Sequence, residues 1–186
     1  MLHKFSTKQI IFIALMAALL FALDLALVSG IDAAVGIPGT GVLVDSLLFV
    51  CIATIIGLTV KKFGTYTYLA FIYSLLTVPT NLLGPPGIYK LVLGLILGLI
   101  ADIVVVSFKY NKIGYLLSLA IANTLLIPFM LFALRFLELP GADELAKFVW
   151  FFIALVVVES IIGAWIGIRL YDKKISKMNV VRQISD

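Results

Sequence analysis

The chain has 186 residues, 63% of them hydrophobic and only 13% charged, with a mean hydropathy of +1.19. A soluble domain is about 45–50% apolar and about 25% charged, so no single core can hide this much apolar surface. A lone cysteine, Cys51, excludes a disulfide scaffold, and the net charge of +4 sits in short turns and tails, not on the basic face a nucleic acid would need.

These proportions predict an all-α, polytopic membrane protein with one domain over residues 1–186 and six transmembrane helices. The first apolar run, 10–28, is longer than the core of a signal peptide, carries Asp24 and is followed by further spans, so it reads as a membrane helix. Residues 30–41 hold four glycines and a proline and read as a loop. Span two is 42–60, stopped by Lys61-Lys62-Phe63-Gly64. Span three, 65–78, is short and breaks at the Pro79–Gly87 segment. Span four is 88–108, ending at Lys109-Tyr110-Asn111-Lys112. Span five, 114–136, carries Pro128 as an expected kink. Span six is 147–170, after the acidic loop with Glu138, Asp143 and Glu144 and before a basic tail.

Basic residues set the expected orientation. With a cytoplasmic N-terminus, 11 of the 14 Lys and Arg fall inside, leaving Lys90, Arg135 and Lys147 outside. That bias predicts both termini in the cytoplasm. The glycine- and proline-rich loops then face outward, where recognition is expected.

Small residues recur at helical spacing. Gly94, Gly98 and Asp102 share one face of span four, and Glu159, Gly163 and Gly167 share one face of span six; ordinary helix packing accounts for the glycines. Ala14, Ala18, Ala22 and Ala26 run along span one, more small surface than so small a bundle needs.

Ionisable residues inside apolar runs are the stronger signal, because charge at membrane depth is expensive. Asp24 and Asp45 lie in the outer parts of spans one and two, Lys90 and Arg135 near the outer ends of spans four and five. All four are candidates for one outward cavity, with Asp32, Asn81 and Tyr89 above it and Glu159 deeper. Snorkelling to the interface is the plain alternative for Lys90 and Arg135. Aspartates there would favour a cationic amine or a pyrimidine, whereas Lys90 and Arg135 would meet a carboxylate. Aromatic candidates for a flat ring are few: Tyr89, Phe148 and Trp150. The sole histidine, His3, lies in the N-terminal tail, so no nucleophile–base pair, zinc site or haem site is expected, and no phosphate-binding loop occurs. Neither an enzyme nor a cofactor is expected.

The Lys8-Gln9-Ile10-Ile11 start, Ala14-xxx-Ala18, the Gly94–Asp102 stripe and the Glu159–Gly167 stripe running into Arg169-Leu-Tyr-Asp-Lys-Lys together resemble the substrate-binding S components of energy-coupling factor (ECF) transporters. The resemblance implies a prokaryotic plasma-membrane protein that binds a vitamin or related micronutrient at the outer face, under a movable loop corresponding to 30–41. It implies docking of Ala14, Ala18 and Ala22 on a transmembrane coupling subunit, itself driven by a pair of ABC ATPases. Two other readings remain open: a self-sufficient proton-coupled carrier using Asp102 and Glu159, and a structural subunit without a ligand.

Overall fold

The computed structural model describes residues 4–35, 42–83, 85–138 and 142–185, apart from the side chains of residues 29, 31–35, 42–44, 144, 145 and 185. Every regular element in them is helical: α1 Thr7–Val35, α2 Val42–Val60, α3 Thr65–Thr77, α4 Tyr89–Ser107, α5 Lys112–Phe136, α6 Ala142–Lys147, α7 Val149–Lys173, a 3₁₀ turn Ile175–Lys177 and α8 Asn179–Ser185. Four stretches are long and apolar enough to cross a membrane: Thr7–Val28, Tyr89–Ser107, Lys112–Phe136 and Val149–Lys177. Asp45–Val60 is a shorter apolar helix.

Helix ends follow local chemistry. Ser6 and Gln9 form a reciprocal capping box: Gln9 N donates to Ser6 Oγ and Ser6 N donates to Gln9 Oε1. Asn111 caps α5 by accepting from Gly114 N at 2.6 Å. Gly64 turns the chain into α3 at φ +96°, where its missing side chain leaves room for the Phe5 ring. One expectation fails here. Residues 30–35 belong to α1, not to a loop, because a lone Gly30 costs only about 1 kcal/mol in a helix and Ile31–Val35 tolerate one. Residues 36–41 lie outside the described residues. Helix α5 runs on through Pro128, and a short helix, α6, forms in the acidic segment read as a loop, with Phe148 between it and α7, the expected sixth span.

Packing closes the helices into a ring: α1 lies on α3, α3 on α4, α4 on α5, α5 on α7, α7 on α2 and α2 on α1. The outer surface is apolar, with Leu15, Phe132, Trp150 and Phe151 all more than 60% exposed. Polar residues instead lie inside: Gln9, Asp24, Lys90, Asp102, Ser118 and Ser160 are almost fully buried. This inverts the pattern of a water-soluble protein.

Glycine faces make the closest joints. A Cβ on Gly98 would sit 2.7 Å from both Thr67 Cα and Tyr66 O of α3, and one on Gly94 would sit 2.8 Å from Ala70 O. On α7, Gly163 and Gly167 press against Leu47 O and Cys51 O of α2, each 2.6 Å from a built Cβ. Both stripes therefore serve packing inside the bundle, as their spacing suggests.

The chain ends meet. Buried Gln9 donates through Nε2 to Ile184 O at 2.9 Å, tying α8 to the start of α1. Lys62 Nζ reaches Lys4 O, and Lys112 pairs with Asp172 at 2.5 Å. Both termini and both basic turns thus share one end of the ring. Gly98→Leu should force α3 off α4 and cost about 1–3 kcal/mol as an overpacked joint; a thermal melt in detergent, lowered relative to Val92→Ala at an exposed position of α4, is the measurement.

Candidate functional site: a central cavity with an acidic end

Helix α3 is short. Its 13 residues span about 20 Å against a hydrocarbon core of about 30 Å. Residues 78–88 complete that side of the ring, and α4 holds both ends of α3. At the N-terminal end, Asp102 accepts from Tyr66 N at 3.1 Å, Thr67 N at 2.8 Å and Thr67 Oγ1 at 2.7 Å. At the C-terminal end, Lys90 Nζ donates to Thr77 O at 3.1 Å and to Thr80 O and Leu82 O at 2.7 Å each. Acid at the amide end and base at the carbonyl end match the helix dipole.

The ring encloses a cavity of about 810 Å³, within the usual range for small-molecule sites. Its closed end is at Tyr66, Leu119 and Ala101, near the basic turns, where Tyr115 OH donates to Gly57 O and fastens α5 to α2. Walls of Leu69, Leu93, Leu97, Leu126 and Leu155 are apolar, with the Phe49 and Tyr73 rings meeting edge to face at 5.1 Å. Polar groups gather at the other end: Asp45, Ser46, Asn81 and Glu159, with Asn123 part-way down the wall.

Three acids from three helices converge there. Glu159 accepts a hydrogen bond from Ser46 Oγ. Asp24 is wholly buried behind Tyr73, whose hydroxyl donates to Asp24 Oδ2 at 2.6 Å. The Asp24 and Asp45 carboxyls lie against each other, and Asp45 feels the charge of Glu159. Oδ1 of Asp24 and Oδ1 of Asp45 are buried, with no donor besides a proton shared between the two carboxyls.

The sequence-predicted residues divide sharply. Asp45, Asn81, Lys90 and Glu159 line the cavity, and Asp24 backs it through Tyr73. Arg135 does not join them: it is exposed on α5 beside Phe132 and Phe136, in a shallow groove apart from the cavity. Tyr89 is absent from the lining because its hydroxyl closes the preceding loop, on Pro85 O at 2.7 Å and Leu83 O at 3.3 Å. Asp32 falls in the last turns of α1, and its side chain lies outside the described residues. Asp102 and Glu159 serve different interfaces, α4 with α3 and α7 with α2. Phe148 and Trp150 are 58% and 80% exposed; the aromatic lining comes instead from Phe49, Tyr66, Tyr73 and Phe152. Of these, Phe49 was findable, one turn after Asp45 on α2.

No protein-family model, curated protein or solved structure matches the chain. The cavity's chemistry therefore rests on its own residues. Tyr73→Phe should leave Asp24 Oδ2 without its hydroxyl donor and lower stability by about 1–3 kcal/mol; an unchanged thermal midpoint in detergent would show that the pair contributes nothing. Lys90→Met should strip three carbonyls of their donor and cost about as much or more, read as a lowered midpoint together with faster proteolysis within residues 78–88.

Proposed function

We propose that this chain is a substrate-specific membrane subunit that binds a small micronutrient, a vitamin or vitamin precursor, for ATP-driven import by an ECF-type ABC complex. The observation that carries this reading is the cavity at the centre of a closed helical ring, apolar along its walls and polar at one end. Such a cavity suits capture of a single small molecule.

Other features support the same reading. The ring would cross a prokaryotic plasma membrane six times, with α3 and residues 78–88 together making the third crossing. The shared end of the ring, where both termini and the basic turns lie, would face the cytoplasm by the positive-inside bias. The cavity's acidic end would then face outward. The sequence carries no phosphate-binding loop, so energy would come from partner ATPases.

Docking on the transmembrane coupling subunit is assigned to Ala14, Ala18 and Ala22. Ala18 and Ala22 are exposed and Ala14 half-buried, while Ile13, Ala17, Leu20 and Asp24 turn inward on the opposite face of α1. A bare small-residue stripe lets another helix come close without displacing side chains.

The test separates binding from transport. Ala18→Trp and Ala22→Trp should leave ligand retention by the purified subunit intact and reduce uptake in cells carrying the coupling module by about tenfold or more, the scale of losing a close helix joint. Undiminished uptake would remove the docking assignment. Accumulation in liposomes by the purified chain alone, driven by a pH gradient, would replace the whole reading with that of a self-sufficient carrier.

A further inference from the structure

Resting on the reading of the cavity as a binding site, we infer that its ligand is an organic cation, with a protonated nitrogen head against Asp45 and Glu159 and an apolar body lying along the walls of the ring.

Charge balance is the first argument. Asp45 and Glu159 line one end of the cavity with Asp24 behind them, and among the described residues no cationic side chain pairs with any of the three. Lys90 is the only basic residue in the lining, and an ammonium has three N–H donors. All three are spent on the carbonyls of Thr77, Thr80 and Leu82. Arg135 is exposed on the far side of α5. Among the described residues the sole ion pair, Lys112 with Asp172, lies at the opposite end of the ring.

Hydrogen-bond capacity is the second. Asp24 and Asp45 lie carboxyl against carboxyl, where one shared proton serves the pair, so the groups that face the cavity are Asp45 and Glu159. Glu159 has one hydroxyl donor, from Ser46. A ligand that brings N–H donors and positive charge to Asp45 and Glu159 fits this end of the cavity. An anion would add like charge and further acceptors to a place already short of donors. The two readings open from sequence, amine or carboxylate, are thereby separated: the lysine that would have received a carboxylate is occupied by the backbone.

Size and polarity describe the rest of the molecule. Beyond the acids, the lining is mostly leucine, alanine and aromatic rings, with Ser74, Thr80, Asn81 and Asn123 the polar groups among them, so the body of the ligand is a ring or chain with few polar atoms. Phe49 and Tyr73 line the same cavity, packed edge to face with the Tyr73 hydroxyl on Asp24.

Three probes of one shape test the inference: phenylbutylamine, phenylbutanol and phenylbutanoate, titrated against the purified full chain in detergent with the thermal midpoint as readout. The amine should raise the midpoint at a concentration about tenfold to a hundredfold below the alcohol, the scale of a charge-assisted hydrogen bond, and the acid should do nothing. The same titration on Asp45→Asn/Glu159→Gln should abolish that preference while leaving any partition into the micelle unchanged. If the alcohol or the acid equals the amine, the charge assignment falls and the binding cavity stands. Native mass spectrometry of the freshly purified chain supplies the second measurement. A retained cationic compound supports the inference, whereas a neutral or anionic one overturns it and keeps the binding reading. Silence in both measurements overturns both.

Discussion

Helix α3 is held by its neighbour at both ends. Lys90, Gly94, Gly98 and Asp102 recur every fourth residue on α4, so they form one stripe down the face that meets α3. The 12 residues from Lys90 to Asp102 measure about 18 Å, close to the length of α3 itself. Base and acid therefore land on the carbonyl and amide ends of α3, while the glycines allow backbone contact between them. Because α3 is short, residues 78–88 must close the ring above it, and Lys90 also holds Thr80 and Leu82 of that segment. The polar end of the cavity depends on this one fastening.

A second stripe applies the same spacing to a different end. Glu159, Gly163 and Gly167 press α7 on α2, with the glycines against carbonyl oxygens and Glu159 reaching Ser46. Here the acid does not clamp a helix terminus. It stands at the rim of the cavity, level with Asp45, although it is ten residues into α7 and Asp45 is three into α2. The stagger of the two helices brings the carboxyls together.

Apolar side chains cover the outside of the ring and charged ones its inside, and the buried charges sort by whether a backbone answers them. Asp102 takes two amides and a hydroxyl; Lys90 takes three carbonyls. Asp24 and Asp45 turn their carboxyls to each other, with Tyr73 donating to Asp24. Groups of the first kind hold the fold.

Composition and hydropathy alone determined that the chain is helical and apolar on its surface, and most helix boundaries were legible within a few residues, because glycine, proline and lysine clusters interrupt the apolar runs. Four-residue spacing also made the Gly94–Gly98 and Gly163–Gly167 faces readable, since one helix fixes the relation of its own residues. Charged residues within apolar runs announced themselves too, but their duties did not. Asp24, Asp45 and Glu159 come from three helices, and only the ring's order and stagger made them neighbours. Lys90 and Arg135 looked alike in sequence; tertiary structure turned one onto carbonyls and left the other outside. Loop carbonyls have no sequence signature, so a lysine's choice between backbone and ligand is decided only when the chain has closed around it.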